Sequence, residues 1–526
     1  MAARKSRSLY STKNIITGIG GQIINIVLGF VARTFFINAL GQEYLGVSSL
    51  FTTILTMLNI SELGISTAIV FSLYKPLAEK DYEKCQILLK LLKKIYAVIG
   101  IVVLGIGLSI MPFLPYIIKG NTEVANIKVI YIIYLLQSAL SYWFYSYKNT
   151  ILQADQRQYV ATLVGYFITL SVHLLQISVL LLVQYTNLIK AQTGFVVYLI
   201  VNLVFVVVKN IVISKRVDKL YPHLSDRELA RQTQELNEEE KRSIFKNVIG
   251  LACYKISNVT LSSTDSIIIS SYINVAAVGI YSNYVLILNI VITLVGIVFG
   301  AFTAGIGNLY VTESKEKSEF IFRCLNLLNF WVYGACGICF FYLVNPFIRL
   351  WVGEDYLFPI AVVVVIVANF LTDGLQNAVI SYKDACGLFW EGKFRPIASA
   401  LLNVVVSLIM VRYLGIAGVI LGTIISRFLT TWWFDALLVH KRAFNKSPAG
   451  YYFRYLRYLA IIVATALIVY PVANMIEVTN LILWMVKGIV CFFIPNVVFL
   501  TIFRNTEEFR YIKLIGKDLL THIFKR

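Results

Sequence analysis

The sequence contains no phosphate-cradling loop of the Gly-x-x-x-x-Gly-Lys-Ser/Thr kind. Its nearest approach, Gly516-Lys517, is followed by Asp518, so nucleotide hydrolysis has no motif to run on. Cysteine is sparse, with seven scattered through apolar runs and no zinc-ligand spacing. Cys336-x-x-Cys339 lies inside an apolar run. Dithiol redox chemistry wants a thiolate at a polar helix start, so this pair reads as packing. Charge is also scarce: 14% of the 526 residues are charged and 58% are apolar, giving a mean hydropathy of +0.75. A water-soluble core cannot absorb that much apolar surface, and the chain reads as an all-α integral membrane protein of many spans.

What charge there is carries information. The net charge of +19 does not point to nucleic acid, because no recognition motif accompanies it and the Lys and Arg cluster between apolar runs. Fourteen span-length runs fit, at approximately 14–38, 44–72, 87–111, 124–147, 158–183, 190–213, 246–273, 276–305, 320–345, 356–381, 395–413, 415–440, 455–475 and 480–503. The basic N-terminus, MAARKSRSLYSTKN, precedes a run of span length with no small-residue cleavage site, and is expected to lead into a first helix rather than form a removed signal. With both termini inside, 38 of the 47 Lys and Arg fall in cytoplasmic segments. Six fall at or near the outer side (Lys119, Lys128, Lys190, Arg349, Arg412 and Lys487) and three are read as lying within spans, away from either side (Arg33, Lys255 and Arg427). Reversing the orientation or dropping one span spoils this asymmetry.

The outer connections are minimal: Asn38–Glu43, Asn274–Val275 and Gly415 hardly qualify as loops. The long connection is cytoplasmic, with both charge signs in ELNEEEKR, and reads as a linker between halves. After Arg504, apolar Phe509, Ile512, Leu519 and Ile523 alternate with Arg510, Lys513 and Lys517. That spacing predicts an amphipathic helix on the anionic inner leaflet, against the plainer reading of a solvated end.

An internal repeat organises the rest. The stretch Phe30–Lys80 returns in degraded form, with LGQEYLGVSSLFTTIL (40–55) matching INVAAVGIYSNYVLIL (273–288) and Gly46 matching Gly279. Tyr74 matches Tyr310, SYKN (146–149) matches SYKD (381–384), and Arg157 matches Arg395, at offsets drifting from 233 to 238. Six spans return the chain to the same side of the membrane, so the copies are parallel repeats about an axis along the membrane normal, with a cavity between lobes. The expected organisation is an N-lobe over 1–213, a linker over 214–245, a C-lobe over 246–440, two added helices over 441–503 and an amphipathic tail over 504–526.

The Arg33–Lys80 segment, the basic link between spans 2 and 3, the LQADQRQY turn after span 4 and the span count resemble the Wzx-type polysaccharide repeat-unit flippases. These belong to the multidrug/oligosaccharidyl-lipid/polysaccharide exporter superfamily. The resemblance implies two pseudo-symmetric six-helix lobes in a V that opens alternately, in a bacterial cytoplasmic membrane. It also implies movement of undecaprenyl-pyrophosphate-linked oligosaccharide from inner to outer leaflet for capsule, exopolysaccharide or O-antigen assembly. A polysaccharide polymerase and chain-length machinery are the partners it suggests. It implies no cofactor beyond a coupling ion, H+ or Na+.

A charge inside a span costs at least ~2.5–3.5 kcal/mol and normally faces a cavity or a partner. A pyrophosphate headgroup needs cationic donors, which makes Arg33, Lys255 and Arg427 substrate-binding candidates; the alternative is that carboxylates neutralise them to fix packing. Arg33 and Asp265 stand at repeat-equivalent positions, offset 232, and are expected to form an outer gate. Glu62 and Asp373 are candidates for ion coupling, since burial raises a carboxylate's affinity for protons; hydrogen-bonded structural carboxylates are the alternative. His173 reads as packing rather than relay. The aromatic run YWFYSYK (142–148) suits sugar stacking, but an aromatic belt is expected at that depth anyway.

Other functions fit less well. A membrane polymerase or ligase needs catalytic side chains in a sizeable outer loop or a polar pocket, and the outer loops here are short, without His and with few paired carboxylates, Glu354 and Asp355 being the exception. The same fold can carry lipid II, a teichoic or teichuronic unit, or cationic drugs. A cation site would want excess intramembrane acid, whereas these spans hold several cations.

Overall fold

The computed structural model describes residues 2–59, 65–120, 122–186, 189–225, 259, 263–386, 388, 392 and 394–524. Helix dominates, and no strand occurs among the described residues. Ten of the described helices are long and apolar enough to cross a membrane, and an eleventh is added by the bent pair Ile127–Tyr142 and Ser146–Ala154, which meet at 45°. Large apolar side chains stand outward along them, as at Met475 (85% exposed) and Tyr413 (80%). In water such a surface would aggregate; in lipid it is the solvent-facing surface.

Two continuous helices hold consecutive expected spans. Ala2–Leu58 carries Gly41 at φ 83°, ψ −174°, and Arg395–Arg427 carries Gly415 at φ 55°, ψ −133°. Both glycines sit where the sequence places an outer turn. A side chain at either would clash with its own backbone, so one glycine does the work of a loop.

Two expectations about spans are modified. The run 44–72 is not one helix: Ala2–Leu58 ends, residues 60–64 lie outside the described residues, and Ile65–Glu79 begins anew. The fourth span also breaks. Phe144 and Tyr145 take φ of 49° and 69°, ending one helix at Tyr142 before a second starts at Asn149. Most of the expected seventh span lies outside the described residues; 263–272 is helical.

Helix starts follow ordinary capping. Asp81 accepts from the Lys84 amide at 2.9 Å, and Asn480 from the Leu483 amide at 2.9 Å. Each satisfies a donor that the first turn leaves unpaired.

The chain forms two compact units, Met1–Gly279 and Ile280–Arg526. In the first, Ala2–Leu58 packs on Gln158–Tyr185, and Ile127–Tyr142 lies between Tyr82–Ile110 and Ala191–Leu220. In the second, Lys315–Val352 is the most buried of the described spans, flanked by Leu481–Phe503, Ile360–Gly374 and Ala449–Met475. Phe330 on this helix stacks on Tyr458 at 4.3 Å and meets Phe499 at 4.8 Å. Lipid tails are as apolar as these rings, so close packing rather than expulsion from water holds such contacts.

The C-terminal segment is an amphipathic helix, Glu507–Phe524. Its apolar face is used at least partly on the protein itself. Phe509 stacks on Trp331 at 5.5 Å, Tyr511 meets Phe320 edge-on at 5.3 Å, and Glu508 pairs with Arg323 at 3.3 Å. Cys336 and Cys339 are free thiols, and the Cys339 Sγ donates to the Cys491 carbonyl at 3.3 Å, the packing role expected for them.

Candidate functional site

Within the first unit, the end that the charge pattern assigns to the outside is built by close backbone approach. A Cβ on Gly46 would stand 1.9 Å from the Val275 carbonyl oxygen, and one on Gly279 would stand 2.3 Å from the Gln42 carbonyl oxygen. The two glycines that the repeat pairs therefore lie where the two helices touch, each admitting backbone of the other's helix. Polar contacts surround them. The Lys119 Nζ donates to the Tyr272 carbonyl at 2.6 Å, the Lys119 amide to the Ser270 carbonyl at 3.2 Å, and the Ser271 hydroxyl to the Ile117 carbonyl at 3.2 Å. Glu43 Oε2 accepts from the Thr122 hydroxyl at 2.8 Å and the Glu123 amide at 2.6 Å. The bonds from Lys119 and Ser271 occupy carbonyls that the helix ends leave unpaired.

Arg33 lies about two turns before Gly41, half-buried, within electrostatic reach of Tyr198. Tyr198 stacks on Phe195 at 6.5 Å and meets Phe36 at 5.2 Å. Asp265 is 4% exposed, on 263–272 with buried Ser263, Thr264 and Ser270. Glu62 and Lys255 lie outside the described residues.

In the second unit, two predicted residues meet. Arg427 Nη2 is 3.2 Å from Asp373 Oδ1, and Arg427 Nη1 donates to Asn369 Oδ1 at 2.8 Å. The substrate candidate and the coupling candidate are thus one ion pair, joining the Arg395–Arg427 helix to Ile360–Gly374. The arginine is mostly covered while the carboxylate is about half exposed (side chains 14% and 54%). Directly after Arg427 the chain widens into a π-helical turn, Phe428–Trp432, a distortion frequent at functional sites.

A further set of ion pairs escapes the sequence reading. In the first unit, Lys148 binds both Asp218 oxygens at 2.6 and 2.7 Å. In the second, Lys383 lies 3.1 Å from Asp435, which Arg395 also contacts; Lys383 and Asp435 are 2% and 4% exposed. Asp384 lies within electrostatic reach of all three, balancing two cations with two anions. Lys148 and Lys383 are the lysines of SYKN and SYKD, and Arg395 is the repeat partner of Arg157, itself 3.0 Å from Asp155. The repeated motif thus marks a repeated device: the lysine after the fourth and after the tenth expected span anchors an aspartate near the C-terminal end of the sixth and of the twelfth. No group of His, Cys, Asp and Glu suited to a metal occurs among the described residues.

No protein-family model matches the sequence. No curated protein matches it either. Solved structures do. A multidrug resistance MATE family transporter of the MOP superfamily, in an inward-facing conformation, is similar at TM-score 0.60 and 14% identity, over 80% of this chain and 96% of its own. The lipid II flippase MurJ, in an inward closed conformation, is similar at TM-score 0.60 and 13% identity, over 93% of this chain and 99% of its own. A Vibrio cholerae MATE transporter, a VcmN mutant, is similar at TM-score 0.52 and 13% identity, over 84% and 99%. The chain has the all-helical membrane fold of these proteins.

Proposed function

We propose that the chain is a flippase for undecaprenyl-pyrophosphate-linked oligosaccharide repeat units, moving them from the inner to the outer leaflet by alternating access. The observation that carries this reading is the likeness in fold to a lipid II flippase over 93% of this chain, at the same TM-score as the multidrug transporter, taken with the cations that the spans hold. Lipid II is itself a polyprenyl-pyrophosphate saccharide, and the cations within the spans suit such a headgroup. Arg33, Arg427 and Lys255 are the residues proposed to meet the pyrophosphate; Arg427 does so from an ion pair whose half-exposed carboxylate, Asp373, can exchange an ion. Arg33 and Asp265 are proposed to contribute to the outer gate, beside the Gly46–Gly279 contact, and Glu62 to ion coupling.

The same fold exports cationic drugs, and that is the second reading; Asp373 is the residue that favours it. Deletion in a host that makes a surface polysaccharide separates the two. The flippase reading expects lipid-linked repeat units to accumulate on the cytoplasmic leaflet while surface polysaccharide is lost, restored by wild type but not by Arg33→Ala. Normal polysaccharide with altered resistance to organic cations would support the drug exporter instead.

A further inference from the structure

The break in the fourth span opens a cavity that none of the roles above uses. Two consecutive bulky residues, Phe144 and Tyr145, hold left-handed backbone angles, a costly arrangement that persists only where its surroundings enforce it and that clusters at binding sites. The surroundings do enforce it. The Asn210 side-chain amide donates to the Ser141 and Trp143 carbonyls at 3.2 and 3.4 Å, closing the broken helix end. Lys148, tied to Asp218, lies 5.1 Å from the Tyr145 ring centroid and holds the ring in place.

The cavity beside this break has a volume of about 310 Å³. That is the lower end of the range for small-molecule sites, room for one substituted sugar ring rather than a chain. Its lining is largely polar and aromatic, with Ser66, Ser141, Tyr145, Asn149, Gln153 and Lys209 beside the aliphatic Val206 and Ile213. Some of these groups have nothing else to do. Asn149 Oδ1 is buried without a hydrogen-bond partner, a state that buried amides seldom tolerate. Among the described residues, the half-buried Ser66 hydroxyl likewise makes no side-chain bond; Gln153 and Lys209 are exposed, and no carboxylate stands within ion-pair distance of Lys209.

We propose that this cavity is a subsite for a single anionic sugar ring, a sugar phosphate or a uronate. Lys209 faces the charge, Asn149 and the hydroxyl groups take the ring hydroxyls, and Tyr145 covers an apolar ring face. The assignment deepens the flippase reading and rests on it for the lipid-linked cargo. The binding chemistry itself rests on the cavity.

Equilibrium binding to the purified full-length protein in nanodiscs tests it, with four probes: glucose 1-phosphate, glucuronate, glucose and inorganic phosphate. Saturable binding of glucose 1-phosphate or glucuronate at least about tenfold tighter than of glucose or inorganic phosphate is expected, and the tighter of the two says whether phosphate or carboxylate is read. Lys209→Met weakens that binding by about tenfold, as loss of a charge-assisted contact does, and Lys209→Arg restores most of it. Lys215→Met, exposed on the same helix and outside the cavity, leaves it unchanged. Equal binding of all four probes, inorganic phosphate as tight as the sugar phosphate, or a Lys209→Met protein that elutes and binds like wild type would each overturn the proposal. The flippase reading fails separately, through normal surface polysaccharide in the deletion strain, a result that leaves sugar binding by the purified protein untouched.

Discussion

Adding a single methyl group at Gly46 or Gly279 is expected to bias this protein away from the arrangement seen here. An alanine Cβ at Gly46 would lie 1.9 Å from the Val275 carbonyl oxygen, where ordinary contact starts near 3.4 Å. The two backbones must therefore part by about 1.5 Å, and by about 1.1 Å for Gly279 against Gln42. Backbone atoms, unlike a flexible side-chain tip, have no rotamer through which to yield. Overpacking of this kind costs ~1–3 kcal/mol, which shifts a two-state equilibrium about 5- to 150-fold away from the state that holds the contact. If that contact is the closed outer end, Gly46→Ala, Gly46→Val and Gly279→Val expose it in graded fashion. A cysteine at Asn38, in a protein stripped of its own cysteines, reads the effect as faster labelling by an impermeant maleimide, with transport falling in parallel and thermal stability nearly unchanged. Labelling and transport equal to wild type in both valine variants would refute the argument, because the backbones would then separate without penalty.

Three other outcomes follow from the geometry. Asp435→Asn strands Lys383 and Arg395 without their shared carboxylate and is expected to destabilise the protein by ~3–5 kcal/mol, read as a lower unfolding temperature in detergent. Lys383→Met added to it should recover much of that loss, whereas an unchanged melt in the single variant would remove the cluster from the account. Arg427→Ala leaves Asp373 unpaired; the double variant with Asp373→Asn should restore folded yield but not transport, and equal rescue of both would reduce the pair to packing. Gly415→Val forces a β-branched residue to φ 55° and should cost ~1–3 kcal/mol, measured as reduced folded yield; a normal yield would mean that the turn relaxes without strain.

Much of the frame is legible in the chain because lipid imposes a coarse grammar on it. Long apolar runs must be helices, and the short connections expected at Asn38–Glu43 and Gly415 each come down to one glycine, Gly41 and Gly415. The alignment of Gly46 with Gly279 points to equivalence by repeat, and the structure shows the two in contact. Pairings between distant segments are less visible. Asp218 and Asp435 carry no signal of their own, since what makes them partners of Lys148 and Lys383 is how two helices cross; the SYKN–SYKD repeat supplied only the lysine half. Arg427 and Asp373 look like two independent functional charges until the helices bring them within 3.2 Å. The break in the fourth span is hidden for another reason. Trp143, Phe144 and Tyr145 belong to an apolar run that favours continued helix, and the cap that stops it, Asn210, comes from a helix much later in the chain.

The central claim is that this chain moves a lipid-linked saccharide between leaflets, and reconstitution tests it most directly. The purified protein is placed in sealed liposomes containing undecaprenyl-pyrophosphate oligosaccharide with a fluorescent sugar, and a membrane-impermeant quencher is added outside. Wild type is expected to bring the protected inner-leaflet fluorescence into reach of the quencher, and Arg33→Ala, at equal protein density, is expected not to. Fluorescence that stays protected with wild type, while the same liposomes transport an organic cation, would contradict the account and assign this fold a different cargo.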